Sequence, residues 1–238
     1  MIRVFIGYDA DETVAYHVLA HSILARSRVP VSITPLKLSQ LTLTRARDPM
    51  QSTEFAFSRF LVPWLCDYEG FAIFMDCDML MRVDIFELWQ LQFNSLMRGR
   101  AVGVVKHDYS PLGETKFLDR KQTAYPRKNW SSVMLFDNAR CRALTPDYVN
   151  TASGLELHRF AWLKDEDIAS LPREWNHLVG EFAPNPTAKL VHFTLGTPCF
   201  KKYQFCEYAQ EWINEKHEML HYEKGLEYSR AERQEEVA

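Results

Sequence analysis

Two carboxylates one residue apart, Asp76 and Asp78, stand at the end of the apolar run Phe71-Ala72-Ile73-Phe74-Met75. A run this short, preceded by Gly70 and closed by an acid, reads as a buried strand whose carboxyl end emerges into a cleft. Residues two apart in a strand share a face, so both carboxylates can converge on one hard cation carrying phosphate oxygens. The competing reading is a solvated turn with two incidental acids. The immediate return to apolar Met79-Leu80-Met81 favours the metal site. His192 closes a last strand over residues 189–193 and is a candidate third ligand, against the commoner case of a core histidine whose hydrogen bonds are satisfied.

The surrounding elements supply further candidates. An opening strand over residues 3–7 runs through Tyr8 and Asp9 into a helical pattern with Ala15, Val18, Leu19, Ser22 and Ile23 on one face. Loops at the carboxyl edge of a parallel sheet meet ligands, so Tyr8 could stack on a flat polar ring beside Asp9, whose alternative role, like that of Asp11, is helix N-capping. A second strand centres on Val31-Ser32-Ile33. The polar stretch 39–52 reads as surface loop, and the aromatic-rich residues 54–65 read as a helix stopped near Pro63. This helix projects Arg59, a guanidinium able to offset a diphosphate or simply to face solvent.

Asp84 and Glu87 have capping-box spacing, which predicts a short helix there. Strands follow at residues 101–105 and 132–136. Between them, residues 109–130 form a basic loop with Lys116, Arg120, Lys121, Arg127 and Lys128, either lining an acceptor or phosphate pocket or simply solvated. Thr145-Pro146 starts a helix that Gly154 closes. Asp165-Glu166-Asp167 reads as a solvated helix start or as a catalytic acid cluster. From Lys201 onward the chain reads as helical, with residues 230–238 frayed.

Across 238 residues the chain is 47% hydrophobic with net charge −3, enough for a large α/β core and without the basic footprint of a nucleic-acid binder. Five cysteines without a CxxC pair, and an amino terminus that enters a strand directly, predict a reducing, cytoplasmic setting. No apolar run reaches the ~18 residues of a membrane span. The absence of GxGxxG speaks against an oxidoreductase-type dinucleotide fold.

Phe74-Met75-Asp76-Cys77-Asp78-Met79-Leu80, followed by Phe86-Glu87-Leu88-Trp89, resembles the LDxDxLV…LW signature of the family 8 retaining glycosyltransferases. The Tyr8-Asp9 opening, Arg59, Asp165-Glu166-Asp167 at the family's D-Q-D, and His192 with Gly196 occur in the family's order. The resemblance spans residues 1–203, a catalytic domain, with residues 204–238 as a helical extension packed on it. It implies an α/β glycosyltransferase A fold with a mixed, mostly parallel central sheet flanked by helices. It also implies Mn²⁺ or Mg²⁺, a nucleotide-sugar donor that is usually UDP-linked, and a hydroxyl acceptor receiving a hexose with retention.

Carried over residue by residue, Asp76, Asp78 and His192 would bind the metal, and Tyr8 and Asp9 the base. Arg59 would assist the diphosphate or order Asp76, and Asp165 and Asp167 would contact the donor sugar. Glu166, at the family's Gln position, would stabilise oxocarbenium-like charge or act as nucleophile. Two positions depart from the pattern. Trp130-Ser131-Ser132 replaces the family's Asn-Ala-Gly, and the segment after His192 lacks the phosphate-binding Lys at its usual spacing. Lys201 or Lys202 would substitute, with amides around Gly196. The family's basic membrane-associating tail is also missing, which implies a soluble acceptor or weak peripheral contact.

Two other readings fit Asp76-x-Asp78. In a haloacid-dehalogenase-like Mg²⁺ phosphatase, the first Asp is the nucleophile and the second a general acid, although that motif stands near the amino terminus. A non-catalytic nucleotide-sugar binding protein would use the same metal ligands without turnover.

Overall fold

The computed structural model describes residues 1–47, 51, 53–108, 115–116, 120–121 and 126–221. Most of the basic loop 109–130 and the frayed end expected at 230–238 lie outside the described residues. In chain order the strands are β1 (Ile2–Tyr8), β2 (Val31–Lys37), β3 (Phe71–Met75), β4 (Met79–Met81), β5 (Val102–Val104), β6 (Thr115–Lys116), β7 (Arg120–Lys121), β8 (Val133–Asp137), β9 (Ile168–Ser170), β10 (His177–Leu178) and β11 (Leu190–His192). The helices are α1 (Thr13–Arg26), α2 (Val62–Leu65), α3 (Phe86–Trp89), α4 (Pro146–Thr151), α5 (Gly154–His158) and α6 (Ala209–Met219).

The central sheet has six strands in the order β2-β1-β3-β8-β5-β9. The β1/β2, β1/β3 and β5/β9 pairs are parallel, while β8 runs antiparallel to both of its neighbours. This is the mixed, mostly parallel α/β sheet the sequence implies. The inner strands β3, β5 and, up to its closing Asp137, β8 are apolar because both faces are covered, with Ala72 to Met75 and Val133 to Phe136 excluded from solvent. β2 is half-exposed and carries Pro35, which an edge strand tolerates because one side needs no ladder donors.

A smaller sheet, β10-β11-β4, lies beyond the first. The three residues Asp76, Cys77 and Asp78 carry the chain from β3 in the large sheet to β4 in the small one. The acidic pair is therefore the crossover between two cores, anchored at both ends. β4 pairs antiparallel with β11, which sets His192 opposite Met79, next to Asp78. Helix α1 joins the cores: Leu19 and Ile23 pack in the larger, while Val18 packs with Leu80, Val191 and Trp212 in the smaller. Glu215 of α6, 2% exposed, receives His21 at 2.6 Å and Arg26 at 2.7 Å from α1. Among the described residues no helix is long and apolar enough to cross a membrane.

Several local expectations are corrected. Residues 54–65 do not form one helix: turns lead into a 3₁₀ segment, Ser58–Leu61, and then α2. Pro63 lies in the first turn of α2 rather than ending a helix, because the first turn leaves its N–H groups without intrahelical partners and so tolerates a residue that has none. Asp84 caps the Phe86 N–H at 2.8 Å, but the Glu87 carboxylate pairs with Lys189 at 2.9 Å instead of closing a capping box. Thr145 caps α4 as expected, yet α4 ends at Thr151, and Gly154 opens α5 behind a Ser153/Glu156 capping box. The acid cluster is a 3₁₀ turn, Asp165–Asp167, feeding β9.

Candidate metal and nucleotide site

Ligand atoms of Asp76, Asp78 and His192 all lie within 4.8 Å of one another. Each is placed by backbone pairing. The Asp76 N–H donates to the Ser132 carbonyl at 2.9 Å, continuing the β3/β8 ladder past the strand end, and the Phe193 N–H donates to the Asp78 carbonyl at 2.8 Å. Cys77, between the two acids, turns the other way, into the core. Burial first, and then the charges of Glu12, Asp78, Asp76 and Asp9, push its thiol pKa well up, and its Sγ donates to Glu12 Oε2 at 3.8 Å, away from the triad.

Arg59 is 5% exposed, with its guanidinium 5.2 and 5.0 Å from the Phe55 and Phe74 ring centres. It meets Asp76 Oδ1 at 2.7 Å and donates to the Ser131 carbonyl at 2.9 Å. The Phe55 ring stands so close to β1 that a Cβ on Gly7 would fall 2.2 Å from it, which is why a glycine stands there. Arg59 thus orders Asp76 and offsets part of the acidic charge, a buried role that an exposed surface arginine could not fill.

His192 is 2% exposed, and its Nδ1 lies 2.9 Å from Asn176 Oδ1. The Asn176 amide nitrogen donates to Ser132 Oγ at 2.8 Å and to the Asn129 carbonyl at 3.2 Å, which fixes Oδ1 as the acceptor. The Nδ1 of His192 therefore carries a proton, and in the neutral ring the Nε2 lone pair faces Asp78 Oδ1 at 3.3 Å. Asp78 Oδ1 is buried and accepts no hydrogen bond among the described residues. Two lone pairs turned toward each other, with a second carboxylate beside them, suit a divalent cation with mixed nitrogen and oxygen ligands. Asn176 was not singled out by sequence reasoning; only the parallel β10/β11 pairing brings it to His192, and no spacing signal marks it. Asn176→Leu should weaken Mn²⁺ binding about 10- to 100-fold, read by calorimetric titration.

His107 follows β5 on the same rim. Burial, with further contributions from His192, Arg173 and His177, pushes its pKa down to about 3. A histidine neutral when folded and titrating near 6.5 when unfolded stabilises fully above pH 6.5 and loses that contribution as pH falls. Between pH 7 and 5 the loss is about 2 kcal/mol. Urea denaturation at both pH values should show it, and His107→Gln should flatten the dependence by that amount.

The other candidates are placed as follows. Tyr8 closes β1 with its hydroxyl 3.2 Å from Thr13 and Lys37 5.6 Å from its ring centre. Asp9 is 1% exposed; its two oxygens accept from Asp11 N at 3.0 Å and Glu54 N at 3.1 Å, so it caps one loop and clips another. Gly196 has φ +143°, and a Cβ there would fall 2.3 Å from the Tyr203 ring. Lys201 lies exposed in the 3₁₀ segment Lys201–Tyr203. Asp165 pairs with Arg127, and Asp167 accepts from the Lys164 N–H at 3.3 Å. Glu166 is exposed, 3.9 Å from Lys164. No direct contact joins these three acids to the metal triad among the described residues. Of the three, Asp165 alone pairs with Arg127, whose guanidinium lies against the Trp130 ring.

No family model matches the chain. It is 46% identical over 227 residues to Protein CDI of Arabidopsis thaliana, covering 91% of this chain and 86% of that protein. Among solved structures it is similar to the WbbM bifunctional glycosyltransferase, with TM-score 0.58 and 16% identity over 90% of this chain. The glycosyltransferase GlyE of Streptococcus pneumoniae TIGR4 gives TM-score 0.58 and 13% identity over 90% of this chain. The chain spans 49% of the WbbM chain and 60% of the GlyE chain. The galactosyltransferase LgtC, solved with donor and acceptor sugar analogues, gives TM-score 0.54 and 10% identity over 91% of this chain and 96% of its own. At these identities the likeness establishes the glycosyltransferase A fold.

Proposed function

Because the chain belongs to the family of Arabidopsis Protein CDI and has the glycosyltransferase A fold, we propose that it is a metal-dependent glycosyltransferase of the family 8 kind. It moves a hexose from a nucleotide-sugar, UDP-linked, to a hydroxyl acceptor with retention. The observation that carries this reading is the triad Asp76, Asp78 and His192 at the crossover between the two sheets. Mn²⁺ or Mg²⁺ held there would supply positive charge to the leaving diphosphate, the largest electrostatic demand in such a transfer.

The chain's own residues do the rest. Asn176 keeps the proton on His192 Nδ1, so that Nε2 stays a ligand. Arg59 holds Asp76 in place beside Asp78. Tyr8 and Asp9 line the base end of the cleft, Gly196 and Lys201 flank its diphosphate end, and Asp165 and Asp167 contact the donor sugar. Glu166 supports the developing positive charge on the sugar; Glu166→Gln should lower turnover at least tenfold, and full activity in that variant would remove the role. The division into a catalytic domain through residue 203 and a C-terminal extension, and a cytoplasmic setting in keeping with five free cysteines, belong to the same proposal.

Incubation with UDP-glucose or UDP-galactose and Mn²⁺ tests the reading, because slow UDP release requires only the donor half of the site. Release of UDP is the expected result. Release of phosphate from p-nitrophenyl phosphate in its place would install the phosphatase reading. Donor binding without any turnover, even with added acceptors, would leave a binding protein.

A further inference from the structure

A basic cluster stands near the metal triad and has no part in holding it. Trp130 sits two residues before Ser132, the residue that accepts the Asp76 N–H, and its indole N–H donates to the His107 carbonyl at 2.8 Å. Two cations lie against its ring: Lys106 at 5.4 Å and Arg127 at 5.3 Å from the ring centre. Arg127 is held by Asp165 and by the Arg159 carbonyl at 2.7 Å. Lys106 is half-buried, and among the described residues its ammonium meets no carboxylate and no hydrogen-bond acceptor. We propose that this basic cluster receives an anionic substituent, a carboxylate or phosphate, carried by the sugar being moved or by the acceptor. The inference rests on the transferase reading.

Three considerations support it. The Lys106 ammonium is open to solvent rather than tied up in an ion pair, and an anion would supply a charge-assisted hydrogen bond that a neutral hydroxyl supplies only weakly. Burial lowers the Lys106 pKa; Asp165 opposes the shift, and Arg127 and Arg100 add to it, so a bound anion would favour the charged ammonium. The Trp130 ring, with cations against it, is a poor platform for a neutral sugar, which would need an open aromatic face. The sequence points the same way. From Lys106 to Lys128 there are six basic residues against three acidic ones, in a chain whose net charge is −3.

The test is calorimetric titration of the full chain with Mn²⁺ present. One arm compares UDP-glucuronate with UDP-glucose; the other compares glucose 6-phosphate with glucose in the presence of UDP. Wild type, Lys106→Met and Lys106→Arg are measured with each. In one arm the acidic ligand should bind about tenfold or more tightly than its neutral counterpart. Lys106→Met should erase the difference and Lys106→Arg keep it, and the arm that responds tells whether donor or acceptor bears the charge. Equal binding of acidic and neutral ligands in both arms would overturn the proposal. So would a Lys106→Met variant that weakens UDP itself as much as UDP-glucuronate, since the cation would then serve the diphosphate. Absence of any UDP binding to the wild type would remove the transferase reading and this inference with it.

Discussion

Arg59→Met lowers the melting temperature by about 10 °C, and added Mn²⁺ restores part of the loss. The guanidinium is buried between two aromatic rings and is the ion-pair partner of Asp76, itself only 15% exposed at the side chain. Methionine fills much of the volume but leaves a largely buried carboxylate beside a second one at Asp78. Breaking such a pair from one side costs roughly 3–5 kcal/mol, which for a chain of this size is on the order of ten degrees. A divalent cation compensates the same carboxylate, so the variant gains more from Mn²⁺ than the wild type does. An unchanged melting temperature without metal would mean that the pair contributes little to the fold.

Asp78→Ala is expected to do the reverse. Its Oδ1 accepts no hydrogen bond among the described residues and faces the acceptor side of His192, so its removal leaves no donor stranded. Stability without metal should change by no more than about 1 kcal/mol. Turnover should fall by about a thousandfold or more, because a metal site that loses a carboxylate no longer offsets leaving-group charge. Donor hydrolysis and thermal melting on the same preparation check both halves. Retention of activity within tenfold would remove Asp78 from the metal site.

The contrast between these two residues follows what the sequence could and could not reveal. The inner strands were legible because burial on both faces demands uninterrupted apolar runs, as at Phe71 to Met75 and Val133 to Phe136. Asp76 and Asp78 were legible because they end one such run, and His192 because it ends another. Arg59 could be read from its residues alone only as a plausible cation; its burial depends on Phe55 and Phe74, which lie on different elements. Asn176 carried no signal. Its role arises from strand pairing and from a network through Ser132 and Asn129 that no local pattern encodes.

The local misreadings have a common origin. Residues 54–65 are apolar on every side because the segment is packed on several sides, so a helical period could not be distinguished from a chain of tight turns. Gly154 had the right type for a stop, but the local Ser153/Glu156 capping box makes it a helix start; Glu87 had the right type for a box, but its tertiary partner Lys189 takes the carboxylate. Trp130 stands where the family 8 resemblance leads one to expect the Asn of Asn-Ala-Gly. In this fold its ring has Lys106 and Arg127 against it.

The central claim, a metal-dependent nucleotide-diphosphate site at the sheet crossover, is tested most directly by thermal melting with UDP, GDP, ADP and CMP, each with and without Mn²⁺, on wild type and Asp78→Asn. A ligand at a hundred times its dissociation constant adds ~2.7 kcal/mol, or roughly 5–10 °C here. A rise of that size is expected for UDP with Mn²⁺, little with either alone, and none in Asp78→Asn. No rise with any nucleotide, or an equal rise in the variant, would contradict it.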